Sequence, residues 1–388
     1  MNNVRPKVLA YYFPDYHPDP ANEARYGEGW TEWDLVREAT PRFPGHQQPR
    51  VPLRGYENEA DPEVMAGQID LAADHGIDGF IFDWYWYDGK PYLQGALEEG
   101  FLKAANRDRL EFSLMWANHD WLEAFPSASP TVPDALIYPG RTTREHFDRM
   151  AAYVVENYFS HPNHTLIDGR PRFSVYEIGN LISAFGSIEA VRDAFDHFDA
   201  LTRAAGFPGL HLDIVVWSFA VLPSEVGLTD PADIIAKLGA RSASSYVWVH
   251  HLDPAVAYDF PSNPSWAGVA RRAFDEYERY RAELPIPFHP NVTCGWDPSP
   301  RCDPRVAYEQ GHYPWIPGFE PSLDAFREGL ALAAEFQRRH GGEHREVTIN
   351  AWNEWTEGSY LLPDTHNGLA YLEAVRDAFP REQGARHV

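Results

Sequence analysis

The sequence predicts an α/β fold, a single (β/α)8 TIM barrel with a long aromatic-rich loop after its first strand. Two observations carry the prediction. Short β runs and helical runs alternate through 388 residues, which implies a parallel sheet with right-handed crossovers that closes into a barrel at eight steps. No Gly-rich phosphate turn follows the first strand, as an open dinucleotide-binding sheet would require, and no linker-like stretch divides the chain. Residues 1–380 therefore read as one domain, with a polar tail over residues 381–388.

In chain order, Val8 to Phe13 is a β run stopped by Pro14. A long Gly/Pro/aromatic loop follows, carrying Trp30, Glu32, Trp33 and His46. Its aromatics argue against disorder and place it over a cleft. The first helix runs from Asp61 to His75, with Asp61-Pro62 as cap and first turn and Gly76 as its end. Strand Asp78–Tyr85, helix Leu93–Asn106 and strand Glu111–Trp116 come next. Helix Thr143–Tyr158, strand Arg172–Tyr176, helix Ile188–Ala205 and strand His211–Trp217 continue the alternation. The second half repeats the plan with helix Ala232–Leu238, strand Ser244–Val249, helix Trp266–Glu283, strand Phe288–Cys294 and helix Leu323–His340. The eighth strand begins at Val347, and Gly368–Ala378 is the last helix.

Composition excludes several classes of function. The chain has 33 Lys and Arg against 57 Asp and Glu, a net charge of −24 spread along its length. That balance opposes a nucleic-acid or anionic-membrane partner. No apolar leader precedes the first strand, and no stretch approaches the roughly 18 apolar residues of a membrane span, so a cytoplasmic protein is expected. Cys294 and Cys302 read as two thiols in a reducing compartment. No Gly-x-Ser-x-Gly elbow or Walker loop is present, and His161, His164, His250 and His251 lack zinc-ligand spacing. No metal and no cofactor are expected, and oligomeric state stays open.

Aromatic residues are abundant, at 14% with 13 Trp. Some belong to the core, but sugar-binding clefts also use flat aromatic walls. The stretch from Ile349 to Gly358, Ile-Asn-Ala-Trp-Asn-Glu-Trp-Thr-Glu-Gly, begins as a strand and ends as a turn. If the turn is helical, Glu354 and Glu357 face the same side, at about 5–6 Å between Cβ atoms. Two carboxyls beside tryptophans suit glycosidic bond cleavage, which needs one protonated and one ionised; an ordinary surface Glu pair is the alternative. In a barrel the carboxyl ends of the strands line the site. There the chain places Tyr11, Tyr12, Asp83, Trp84, Trp86, Trp116, Asn118, His119, Tyr176, Trp217, Trp248, Trp296, Trp352 and Asn353. With Trp30, Glu32, Trp33 and His46 from the first loop, these are the candidate substrate-binding residues.

Ala10-Tyr-Tyr-Phe-Pro14, Gly29-Trp-Thr-Glu-Trp33, Gly45-His46, Gln48-Pro49, Asp61-Pro-Glu-Val-Met65, His75-Gly-Ile-Asp-Gly-Phe80, Trp116-Ala-Asn118 and Asn350 to Gly358 together resemble the WbsX-like proteins. These are often labelled polysaccharide-biosynthesis glycosyltransferases and are similar to glycoside hydrolase family 99. The resemblance implies a metal-independent (β/α)8 retaining hydrolase acting on a carbohydrate. In that pattern Glu357 is the general acid/base, and Glu354 deprotonates the sugar 2-hydroxyl to give a 1,2-anhydrosugar. His119-Asp120 and Asp83-Trp-Tyr-Trp86 depart from the family's usual runs. A glycosyltransferase of surface-polysaccharide biosynthesis and a noncatalytic sugar-binding barrel are the alternatives, although no Asp-x-Asp metal motif accompanies the first.

Overall fold

The computed structural model describes residues 5–217, 231–252, 265–316, 318–319 and 321–381. Eight parallel strands form the barrel: β1 (Lys7–Tyr12), β2 (Gly79–Tyr87), β3 (Glu111–Trp116), β4 (Arg170–Val175), β5 (His211–Val215), β6 (Ser242–Ser244), β7 (Phe288–His289 and Asn291–Thr293) and β8 (Glu346–Asn350). Each pairs with its neighbour, and β1 pairs with both β2 and β8. The two pieces of β7 flank Pro290, which has no N–H for the ladder. The first piece pairs with β6 and the second with β8, so the ring closes across the break.

Helices cover the barrel, and the cap expected at Asp61 is present. Asp19 caps α1 (Pro20–Tyr26), Glu32 precedes α2 (Trp33–Glu38), and Asp61 caps α3 (Pro62–Asp74). Then come α4 (Arg144–Asn157), α5 (Ile178–Phe185), α6 (Ile188–Ala204), α7 (Pro231–Leu238), α8 (Trp266–Glu283), α9 (Leu323–His340) and α10 (Ala370–Ala378). Among the described residues no helix is long and apolar enough to cross a membrane.

Four expectations need correction. The loop after β1 is not structureless, since it contains α1 and α2. The unpredicted α5 follows β4, where Glu177 caps it by accepting from Gly179 N. The helix expected over Leu93–Asn106 is instead a π turn at Ala96–Gly100 followed by 3₁₀ turns at Phe101–Lys103 and Arg107–Arg109. Gly100 lies against the carbonyl of Glu59, where a Cβ would collide. The sixth strand ends at Ser244 rather than Val249. Ser245 leaves the ladder there, and its carbonyl accepts from the hydroxyls of Tyr11 and Thr348 instead. Of the tail expected over residues 381–388, all but Arg381 lies outside the described residues.

The lower barrel interior is polar. Arg172 of β4 is fully buried, with Asp213 at 3.2 Å and Glu346 at 3.4 Å. The hydroxyls of Ser174, Ser242 and Ser244 donate to Asp213. Buried charge persists in a core only when paired and hydrogen-bonded in this way.

Candidate active site

The Glu354/Glu357 turn leaves the top of β8. Asn353–Glu354 pairs antiparallel with Ser359–Tyr360, and the 3₁₀ turn Trp355–Glu357 joins them. Gly358 ends the turn at φ +64°, and a Cβ there would lie 2.9 Å from Asp297 Cβ, so both backbone and space call for glycine. Asn353 anchors the turn. Its amide donates to Phe13 O and Glu59, and its oxygen accepts from Phe13 N. Tyr16 OH accepts from the Trp355 and Thr356 amides. The turn is thereby bound to the exit of β1, and its two carboxyls meet on one side.

They meet at Arg301. This residue comes from the 3₁₀ turn Ser299–Arg301 after β7. Its Nη1 donates to Glu357 Oε1 at 2.7 Å, and its Nη2 donates to Glu354 Oε1 at 3.1 Å and to Glu32 Oε1 at 3.2 Å. Tyr313 OH donates to the same Glu357 oxygen at 2.6 Å, and Thr356 Oγ1 donates to Glu32. Arg301 also lies over the rings of Phe13 and Phe125. Glu354 and Glu32 are almost wholly enclosed, whereas the Glu357 side chain keeps 11% exposure. Glu357 thus presents its second oxygen toward the mouth.

Burial, reinforced by the charge of Glu357, pushes the Glu354 carboxyl well above the usual range even though Arg301 opposes the shift. Burial likewise raises Glu32, against Arg301 and Thr356. Asp83 of β2 is raised by burial, with Tyr246 opposing through a hydrogen bond. Burial works against Asp297 too, but hydrogen bonds involving His46, Ser299 and Gln48 hold it below the usual range. His46 lies 2.8 Å from Asp297 and Gln48 donates to it at 2.7 Å, so the first loop is fastened beside the turn. Among the described residues no His/Cys/Asp/Glu group could hold a metal ion.

An aromatic arc borders the carboxyl cluster. Trp30 packs on Phe125, Phe125 on Trp121, Trp121 on His119, and His119 on Tyr176. Tyr176 then meets Trp217, which stacks on His250 at 3.9 Å. Tyr11 sits below, 4.7 Å from Tyr246. Trp296 is buried and bridges Phe319 through its backbone. Asn118 links β3 to α5 by bonds to the Glu177 backbone, a scaffolding position.

Six aromatic candidates face away from this cluster. Side chains alternate along a strand, so if Asp83 points inward, Trp84 and Trp86 point outward. Trp84 Nε1 bonds to Tyr158 OH and Trp86 Nε1 to His146 O, both in the α4 layer. Trp116, in register with Trp84, packs on Phe147 of α4. Tyr12 bonds to Glu59 and Gln68, and Trp352 Nε1 bonds to Gln68 of α3. Trp248 packs on Trp266 of α8. All six are wall-to-helix packing rather than lining of the mouth. Trp33 is also enclosed, between Tyr16, Tyr56 and Trp355. Arg301, Tyr313 and Tyr246 belong to the cluster but went unrecognised in the sequence. The available signal was an arginine inside an aromatic, proline-rich loop of an acidic chain.

The family model described as glycosyltransferase WbsX matches residues 8–375. A curated relative from Xanthomonas campestris pv. campestris, strain B100, described as uncharacterized protein WxcX, is 30% identical over 377 residues. That alignment covers 96% of this chain and 50% of the relative, so the chain spans about half the length of the curated relatives it matches. Among solved structures, a glycoside hydrolase-like protein superposes with a TM-score of 0.63 at 14% identity, covering 98% of this chain and 95% of the other. The GH99 endo-alpha-mannosidase from Bacteroides thetaiotaomicron, in complex with bis-tris-propane, gives 0.58 at 14% identity over 96% and 95%. These likenesses identify the fold as that of TIM-barrel glycoside hydrolases.

Proposed function

The chain belongs to the WbsX family, and from that premise we propose that it is a glycoside hydrolase whose Glu354 and Glu357 cleave a glycosidic bond of an oligo- or polysaccharide. The observation that carries the reading is the pair itself: two carboxyls on one turn at the barrel mouth, bridged by one guanidinium. Residues 1–380 are the unit we assign this activity.

Glu354 takes the proton of the sugar 2-hydroxyl, and that oxygen attacks the anomeric carbon. The bond to the leaving oxygen breaks as Glu357 gives it a proton. Glu357 then removes a proton from water, which attacks the anomeric carbon of the 1,2-anhydrosugar, and O2 recovers its proton from Glu354. Two inversions give net retention. The greater exposure of the Glu357 side chain supports giving it the leaving group, and the proton affinity of Glu354, raised by burial, supports giving it the role of base. Trp30, Phe125, His119, Tyr176 and Trp217 would supply the walls against which sugar rings stack.

The description of the family model favours a second reading, transfer from a nucleotide-sugar donor. Against it, Arg301, the cation of this cluster, already faces three carboxyl groups and offers no free fork to a diphosphate. The deciding experiment follows product release from a panel of α- and β-linked oligosaccharides, including mannosides and rhamnosides, with a nucleotide-sugar arm alongside. Release of a reducing sugar without donor, slowed on the order of a hundredfold in Glu357→Gln, is the expected result. Turnover that appears only with the donor would overturn the assignment of both glutamates. Binding without product, unchanged in Glu354→Gln and Glu357→Gln, would make the barrel a noncatalytic sugar binder.

A further inference from the structure

The cluster contains a carboxyl that the reaction above leaves unused. Asp83 points inward from β2 and is 2% exposed. It is joined to Glu354 through a single phenol, since Tyr246 OH lies 2.9 Å from Asp83 Oδ2 and 3.3 Å from Glu354 Oε2. A phenol has one hydrogen and donates to one acceptor. The second contact is a hydrogen bond only if that carboxyl carries a proton and donates it to the phenol oxygen. With both carboxyls ionised, lone pairs would face each other in an enclosed site. Asp83 Oδ1 has no partner of its own, so no other bond compensates a charge there.

We propose that Asp83, Tyr246 and Glu354 share one proton, and that Asp83 holds it while Glu354 acts as the base. The inference rests on the hydrolase reading for its catalytic meaning, although proton placement can be observed without turnover. In one state the Glu354 carboxyl donates to the Tyr246 oxygen while the phenol donates to Asp83. Transfer breaks the Glu354 O–H bond and forms one at Tyr246. It also breaks the original phenol O–H bond and forms one at Asp83. Charge moves from Asp83 to Glu354, and no co-reactant is needed. The result is an ionised Glu354, ready for the 2-hydroxyl.

The surroundings are consistent with this exchange. Tyr11 of β1, Tyr85 on the same strand, Tyr176 after β4, Tyr246, Glu354 and Glu357 all interact with the Asp83 charge. Burial and these carboxylates keep the Tyr246 phenol protonated, so it passes protons without acting as a base. Burial also raises both Asp83 and Glu354, favouring retention of a proton between them. Asp83 is a positioning residue, since it acts through Glu354.

The test has two arms on the full chain. Infrared difference spectroscopy with isotope-labelled aspartate, without substrate at neutral pH, is expected to show a protonated Asp carboxyl that Asp83→Asn removes and Tyr246→Phe displaces. Asp15, another buried carboxyl, contributes equally to all three proteins and cancels. The second arm is the pH profile of kcat/KM on the oligosaccharide that wild type cleaves. Wild type should show two ionisations of the pair, one in acid as a second proton binds and one above neutrality as the shared proton leaves, whereas Asp83→Asn should show one, with kcat falling more than KM changes. An active wild type with no aspartate signal, or an Asp83→Asn profile identical in shape, overturns the proposal. A signal in a protein that cleaves nothing on the panel leaves the shared proton standing and overturns the hydrolase reading instead. Tyr246→Phe keeps both carboxyls and serves if Asp83→Asn fails to fold.

Discussion

Arg301 donates to Glu357 Oε1 across 2.7 Å, and Tyr313 donates to that same oxygen. One oxygen of Glu357 thus accepts two hydrogen bonds. This arrangement orients Glu357 and sets what happens when the guanidinium is altered.

Arg301→Lys is expected to lower kcat/KM on the order of a hundredfold while the protein still folds, because an ammonium cannot reproduce a fork that reaches Glu357, Glu354 and Glu32 together. Arg301→Met should cost on the order of 3–5 kcal/mol in urea unfolding at neutral pH, since it strands buried carboxylates. The loss should shrink in acid, where those carboxyls protonate. An equally large loss at both pH values would contradict this account.

The outward tryptophans and the mouth tryptophan separate stability from binding. Trp84→Ala should destabilise by about 3–5 kcal/mol and leave KM of the folded protein unchanged. Trp30→Ala should scarcely alter stability but raise KM roughly tenfold, the loss expected from one aromatic stacking face. Parallel thermal melts and steady-state kinetics check both.

The polar lower core has its own signature. Burial works against the charges of Asp213 and Glu346, yet Arg172 holds both below the usual carboxylate range. A depressed folded value contributes stability above the unfolded pKa, about 4, and loses it as pH falls through the folded value. Arg172→Met should therefore cost on the order of 3–5 kcal/mol near neutrality. Adding Asp213→Asn and Glu346→Gln should recover much of it. Denaturant titrations at several pH values report the outcome.

Glu177, the cap of α5, is the opposite case, since burial raises its carboxyl from 4.5 to about 7. A raised folded value contributes stability below the unfolded pKa and loses it as pH rises through the folded one. Wild type should accordingly lose stability relative to Glu177→Gln as pH rises from about 4.5 toward 7. A stability difference that does not change over that window would remove Glu177 from the account.

Local pattern carried most of the architecture. The helices Trp266–Glu283 and Leu323–His340 end where their periodicity and caps say they should, because a helix is built from contacts within a turn or two. The Glu354/Glu357 turn was legible for the same reason, being closed by its own neighbour Gly358. Where longer-range packing overrides propensity, as at Gly100 against Glu59, the expected helix gave way to tighter turns.

The facing of each aromatic was decided only by tertiary structure. Tyr12 and Trp116 end their strands as expected and Trp84 lies within β2, but strand register sends all three to the helix layer. Arg301 is further still from sequence, meeting Glu32 across 269 positions and Glu354 across 53. No periodicity links such residues. They are neighbours because β7 and β8 are adjacent in a closed ring while the loop after β1 folds over its mouth, and ring closure is a property of the whole chain. The residue types for the chemistry were therefore written locally, whereas the cation that joins them and the phenol that links Asp83 to Glu354 exist only once the barrel has closed.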